Sequence, residues 1–353
     1  MHHFQKRCFG TFSLFMNAKE MRKSVGQCLW IGFEGDQLDK DTRRTLESGD
    51  AGGVTLFARN LPKLSDGRNN IPGLIELNRD IHSTNRNVWI SVDQEGGRVQ
   101  RVKEPCPHYP PMIHLADMEE SKAIHEAEKL GKEIGGDLKS WGFDIDFAPV
   151  MDIHTNEQNP IIGDRAFGTT PKVAIPRALA FARGLHAAEI FACAKHFPGH
   201  GDTETDSHLE LPTLPHDMKR LEAIELLPFR AAAQANIPLC MTAHVVFKAL
   251  DAGVPATLSR KVVTGLLKER LEYKGVVVSD DLDMHAIAKH MAVDEAAVRA
   301  IEAGCDVLLL CRDRDHQEIA RDALVKEASN SGAFLKLLQK TRQLVPFKSP
   351  LLS

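Results

Sequence analysis

The chain has no apolar run near the ~18 residues that a membrane-crossing helix requires, so no spanning segment is expected. It has no CxxC pair. The seven cysteines (Cys8, Cys28, Cys106, Cys193, Cys240, Cys305, Cys311) are odd in number and scattered, several of them inside apolar runs. They read as reduced core thiols of a reducing, cytoplasmic compartment, not as a disulfide framework. Charge of one sign is also missing. The formal net charge of −4 gives neither nucleic acid nor an anionic membrane a reason to bind. No GxGxxG fingerprint or P-loop is present, and Gly96-Gly97 alone is a weak sign of phosphate binding. No internal segment rich in Pro, Gly or Ser divides the chain, so a single domain is the simplest organisation.

What remains is an ordinary globular composition, 43% hydrophobic and 26% charged, over 353 residues. A chain of this length can build a large core without a disulfide or metal staple. Residues 1–20 read as a leader or an over-called start. Their apolar patch, Phe12 to Phe15, is short for a signal peptide, and no small-residue cleavage site is clear. Residues 21–353 then form the catalytic domain.

Eight short apolar runs recur: Cys28–Phe33, Gly53–Phe57, Val88–Val92, Phe143–Val150, Phe191–Ala194, Pro238–Ala243, Gly275–Ser279 and Asp306–Cys311. Their nearly continuous apolar character predicts strands covered on both faces. Between them, Ser121–Trp141 carries apolar residues mostly three or four apart, as a helix face does. Leu179–Ala188, Met218–Ala235, Val262–Leu271 and Val293–Ala303 behave similarly, with Gly304 as a C-terminal cap, and Gln317–Leu344 closes the chain as helix. Alternating strands and helices predict a single α/β domain, a (β/α)8 TIM-type barrel, with a doubly wound open sheet as the structural alternative.

Polar residues cluster just after the predicted strands: Asp93 after the third, Lys195 and His196 after the fifth, His244 after the sixth, Asp280 and Asp281 after the seventh. In such barrels the strand carboxyl ends carry the active site. Each residue also has a structural reading. Asp280 can cap the next helix, although Asp281 and Asp283 fit that role as well. Asp93 can bind its own glycine turn, and His244 can be a satisfied core histidine. Glu95 and Asp202 can hold glycine-rich turns.

The segment from Lys195 to His208 is the densest cluster, with Lys195, His196, His200, Asp202, Asp206 and His208 among glycines and a proline. One reading is a metal-dependent hydrolase using His196, His200 and His208, since imidazole and carboxylate suit zinc. Four-residue spacing aligns histidines only on a helix, which Pro198, Gly199 and Gly201 oppose. The other reading pairs Asp206 with His208, the carboxylate orienting the imidazole as a proton donor. Asp280 would then act as nucleophile, a combination that fits glycoside cleavage. Gly199 and Gly201 suggest a loop able to move.

The chain resembles family 3 of the glycoside hydrolases, and within it the single-domain bacterial β-N-acetylhexosaminidases of peptidoglycan recycling. The matching elements are Asp93-Gln94-Glu95-Gly96-Gly97-Arg98-Val99-Gln100-Arg101, the stretch from Asn159 to Gly168, the Lys195–His208 loop, and Ser279-Asp280-Asp281-Leu282-Asp283-Met284. The resemblance implies a retaining hydrolase that removes terminal non-reducing N-acetylglucosamine from muropeptides. It implies Asp280 as nucleophile, His208 as proton donor and acceptor assisted by Asp206, and Asp93, Arg101, Arg165, Lys195 and His196 as sugar-binding groups. It implies no metal and no organic cofactor. The expected partner is the oligosaccharide substrate alone, met by a monomer. A histidine acid does not repel an anionic acceptor, so phosphorolysis is the alternative within the same fold. A sugar-binding barrel without activity is the alternative outside catalysis.

Overall fold

The computed structural model describes residues 17–204 and 210–344. Eight parallel strands close into a barrel: β1 (Leu29–Ile31), β2 (Gly53–Leu56), β3 (Trp89–Val92), β4 (Ile145–Asp146), β5 (Phe191–Phe197), β6 (Leu239–Thr242), β7 (Val276–Asp281) and β8 (Val307–Leu310). Each pairs with its sequence neighbours, and β8 returns to β1 in the register Leu29↔Leu308. All eight fall within or across the predicted runs, and the open sheet is excluded.

The strands are apolar throughout because both faces are covered. Successive side chains alternate sides. Trp30, Cys193, Leu239, Met241, Val276, Val278, Val307 and Leu309 fill the barrel interior. Leu29, Ile31, Ala192, Ala194, Cys240, Val277, Leu308 and Leu310 pack outward beneath the helices. Gly53 faces inward beside Trp30, and a Cβ there would lie 2.7 Å from the indole Cγ, so only glycine leaves room for that ring.

The helices follow the sequence with adjustments: the predicted Leu179–Ala188 helix starts earlier, at Pro171, and the predicted Val262–Leu271 helix is wound as a π-helix over Lys261–Arg270. The first helix, Ala18–Gly26, opens on a capping box between Asn17 and Glu20, so it takes in positions assigned above to the leader. The predicted Met218–Ala235 helix is two helices, Met218–Ala223 and Leu226–Gln234. Pro228 offers no N–H to the Ile224 carbonyl and its ring crowds that group, which breaks the first helix there. The C-terminal helix divides into Arg314–Asn330 and Gly332–Leu344 at an extended Ser331. Gly304 caps Val293–Ala303 in the left-handed conformation. Among the described residues, no helix is long and apolar enough to cross a membrane. The six described cysteines are all free and buried.

Candidate active site

Strand parity carries polar groups to the barrel mouth. On β3, β5 and β7 the inward series runs on from Trp89, Cys193 and Val278 to Asp93, Lys195 and Asp280. A cavity of about 280 Å³ opens there, with Asp93, Arg101, Arg165, Lys195, His196 and Asp280 in its wall. A larger groove of about 820 Å³ lies elsewhere, against the outer helix Ile71–Thr84, away from these groups. Six of the eight residues named from the sequence thus meet around one cavity. Asp206 and His208 lie outside the described residues.

Four charges in the wall, Asp93, Arg101, Arg165 and Lys195, are paired. Lys195 Nζ stands 2.8 Å from Asp93 Oδ1 and 2.5 Å from Glu95 Oε1. Arg101 donates to Asp93 Oδ2 at 3.0 Å. Arg165 grips Glu95 with two bonds of 2.8 Å, a fork that fixes its plane. Burial opposes ionisation of Asp93, but Lys195 and Arg101 outweigh it and hold the carboxyl well below its usual range. Arg165 and Lys195 do the same for Glu95. An ammonium has three donors. Two of those of Lys195 are engaged by carboxylates, which leaves one for a hydroxyl in the cavity. Arg165 is steadied further by Arg98, which donates to the carbonyls of Pro160, Ile161 and Ile162 and pairs with Asp164.

The start of the β5 loop is built around Asp152. This fully buried carboxylate accepts from the backbone N–H groups of His196 and His200 and meets His196 Nδ1 at 2.7 Å. Despite the burial that opposes its charge, His196 holds Asp152 below the usual carboxylate range. Nδ1 of His196 is therefore the protonated nitrogen, and Nε2 is the one left for a ligand. Burial pushes His200 down to about 4, with His196 adding to the shift, so its ring is neutral at pH 7. Asn159 ties this segment to the Arg165 loop. Its amide donates to the carbonyls of His200 and Thr203 and its Oδ1 accepts from the N–H groups of Ile161 and Ile162. Gly201 has a packing role here, since a Cβ would lie 1.8 Å from the Ile153 carbonyl oxygen. Among the described residues, no group of three or more His, Cys, Asp and Glu is arranged to hold a metal ion.

On β7, Asp280 is half-buried at the cavity and its Oδ1 accepts from the Asp281 N–H at 2.8 Å. Asp281 turns to structure, accepting from the N–H groups of Asp283 and Cys311. Asp283 accepts from the Arg312 N–H and pairs with His316, joining the β7 and β8 loops. His244 is the satisfied core histidine. Its ring bonds Thr257 Oγ1 at 2.8 Å and the Asp281 carbonyl at 3.0 Å.

Sequence reasoning undervalued Glu95 and missed Asp152 and Asp146. Asp152 follows the fourth strand as Asp93 follows the third, so the same strand-end signal marks it. Asp146, on the outward side of β4, is fully buried and accepts from the Gln94 N–H at 2.9 Å. Burial pushes its pKa up to about 8. Such a carboxyl costs nothing below its unfolded pKa of about 4, an increasing amount as pH rises, and a constant amount above about 8. Asp146→Asn removes that cost. Thermal unfolding should show the variant gaining on the wild type from pH 5 to 8 and the gap levelling off above; a gap independent of pH would refute the assignment.

The chain resembles known proteins along most of its length. A β-hexosaminidase of Alkalilimnicola ehrlichii is 38% identical over 289 residues, 80% of each chain. The crystal structure of native NagZ from Neisseria gonorrhoeae superposes with a TM-score of 0.76 at 30% identity, covering 90% of this chain and 97% of that one. A family 3 β-N-acetylglucosaminidase from Paenibacillus superposes with a TM-score of 0.83 at 35% identity over 92% of this chain, which spans 62% of that longer protein. Residues 20–338 match the glycosyl hydrolase family 3 N terminal domain. Barrel, strand-end site and relatives agree, and the chain belongs to glycosyl hydrolase family 3 as one of its glycoside hydrolases.

Proposed function

We propose that this enzyme is an exo-acting β-N-acetylglucosaminidase that removes the terminal non-reducing N-acetylglucosamine from muropeptides with retention of configuration. The observation that carries the reading is Asp280 in the wall of a cavity of about 280 Å³, where Asp93, Arg101, Arg165 and Lys195 are held in fixed pairs. A space of that size suits one terminal sugar. Arg101, Arg165, Lys195 and His196 supply donors for its hydroxyls, and Asp93 supplies acceptors. The similarity to proteins named β-hexosaminidase and β-N-acetylglucosaminidase supports the choice of sugar.

In the first step Asp280 attacks the anomeric carbon and His208, oriented by Asp206, protonates the departing oxygen. In the second, His208 takes a proton from water as the water displaces Asp280. The experiment that tests the scheme is trapping with a slow fluorinated N-acetylglucosaminide. Mass spectrometry should find one sugar on the peptide that holds Asp280, and a sugar attached elsewhere would refute the nucleophile. The acid has its own test. His208→Ala should lower kcat/KM by roughly 10²-fold or more on substrates with poor leaving groups and far less on nitrophenyl glycosides. Equal losses on both would remove His208 as the acid.

A further inference from the structure

Three of the Arg and Lys side chains in the cavity wall, Arg101, Arg165 and Lys195, are engaged by Asp93 and Glu95. Arg312 also lines the cavity, and it differs. It is exposed, and among the described residues its guanidinium has no hydrogen bond or ion pair. Its backbone, by contrast, is fixed. The N–H groups of Arg312 and Asp313 donate to Asp283 Oδ2 at 2.9 and 3.3 Å. The Cys311 N–H donates to Asp281 Oδ1 at 3.1 Å, and the Cys311 carbonyl accepts from Arg59. The acidic groups nearest in the chain are already engaged. Asp281 and Asp283 hold backbone N–H groups, Asp283 also meets His316, and Asp313 accepts from the Asp315 N–H. None of them takes the guanidinium. The result is a rigid stem that carries a cation with its donors unspent.

Its height in the barrel is set by register. Leu309 on β8 pairs with Asp281, the residue after Asp280. Arg312 lies three residues beyond Leu309 toward the mouth, up to about 10 Å at ~3.3 Å per residue. A terminal sugar held by Asp93, Lys195 and Arg165 occupies the closed end of the cavity, so the rest of the substrate leaves past the level of Arg312. We propose that Arg312 is a specificity-determining residue that binds a carboxylate on the aglycone, namely the free lactyl carboxylate of a muramic acid joined to the departing oxygen. The proposal rests on the reading of Asp280 as the nucleophile. A guanidinium matches a carboxylate with two parallel N–H donors. It also offsets the repulsion that an anionic aglycone meets from Asp280. While the stem peptide is attached, the lactyl carboxyl is an amide and carries no charge. The favoured substrate is therefore the peptide-free disaccharide, which a hydrolysis of that amide bond must supply.

The test is steady-state kinetics on three β-1,4-linked substrates: N-acetylglucosaminyl-N-acetylmuramic acid, its lactyl carboxamide, and chitobiose. Wild type should favour the acid over the carboxamide by about tenfold or more in kcat/KM, the scale of a hydrogen bond to a charged group. Arg312→Met should lose about tenfold or more on the acid and less than about twofold on the other two. The loss should appear in KM, because a grip on the aglycone serves bound substrate and transition state alike. Arg312→Lys keeps the charge without the fork and should recover part of it. Raising ionic strength from about 0.01 to about 1 M should erode the wild-type preference for the acid and leave Arg312→Met unchanged. Equal losses on all three substrates, no loss on the acid, or the same loss on the carboxamide as on the acid overturn the proposal. Should Arg312→Met fold poorly, a wild type that does not distinguish acid from carboxamide overturns it as well. If the fluorinated sugar does not label Asp280, the nucleophile fails and this inference falls with it. If Asp280 is labelled and the acid is not preferred, the role of Arg312 alone falls.

Discussion

Asp280→Ala should lower kcat/KM for every glycoside by roughly 10⁴-fold or more, the scale on which loss of a covalent nucleophile is felt. Unlike the His208 variant, it should spare no class of leaving group, because the bond that Asp280 forms is common to all of them. The fold should persist. Asp280 is half-buried at a cavity wall, and the β7 end is held by its neighbours. Asp281 accepts from the Cys311 N–H at 3.1 Å and Asp283 from the Arg312 N–H at 2.9 Å. Far-UV circular dichroism and the thermal midpoint should therefore stay near wild type while turnover disappears. Asp281→Ala supplies the contrast. It should lower stability by roughly 1–3 kcal/mol through the backbone donors it leaves unmet, whatever it does to rate. A loss of less than tenfold in Asp280→Ala would sink the nucleophile assignment.

The separation of these two neighbouring aspartates shows how far strand parity can be read from sequence and where it stops. Period-two alternation explains why Lys195 and Asp280 enter the cavity, each continuing the inward series of Cys193 or Val278. The rule does not reach His244, which lies past the end of the strand: Ala243 and Val245 both pack in the outer core, and the ring is held by Thr257 and the Asp281 carbonyl. Strand-end position alone left its role open. His196 breaks the rule, since parity would turn it outward. The register between β5 and β6 shifts between Lys195 and Phe197, which re-aims the chain as an extra residue in a strand does. Lys195 and His196 both line the cavity, and Phe197 packs outward edge-on against Phe229 at 5.2 Å. No local pattern in the sequence announces such a shift. Asp152 and Asn159 escaped for another reason. Their work is to satisfy backbone groups of distant loops, and those partners are set by tertiary packing. Gly201 looked like a source of loop mobility, but its missing Cβ makes room for the Ile153 carbonyl.

The paired charges beside the cavity should prove the most sensitive point of the fold. Lys195→Met leaves Asp93 and Glu95 without the ammonium that stands between them, and the Glu95 side chain is only 3% exposed. Glu95→Gln removes the anion that Arg165 grips with two bonds. Breaking a buried pair by removing one member costs ~3–5 kcal/mol, because the other charge stays buried without compensation. Each single variant should lose stability on that scale in denaturant unfolding. The double variant Lys195→Met/Glu95→Gln should lose less than the sum, because it removes opposite charges together. The sign with pH follows from the carboxyls. Asp93 and Glu95 are held below their ordinary range in the folded protein. Their contribution is therefore fully present above the unfolded carboxyl pKa of about 4 and is lost as pH falls through the lowered folded values. The deficit of Lys195→Met relative to wild type should accordingly be greatest at pH 6–7 and shrink toward pH 3, as the variant's carboxyls, no longer held down by the ammonium, take up protons before those of the wild type. A deficit below about 1 kcal/mol, or one that does not shrink on acidification, would mean that the ammonium contributes little to the fold. The same variant separates binding from architecture. With Lys195 gone, Arg101 still holds Asp93 and Arg165 still holds Glu95, so a rise in KM at temperatures well below unfolding isolates the one donor that Lys195 keeps for the sugar.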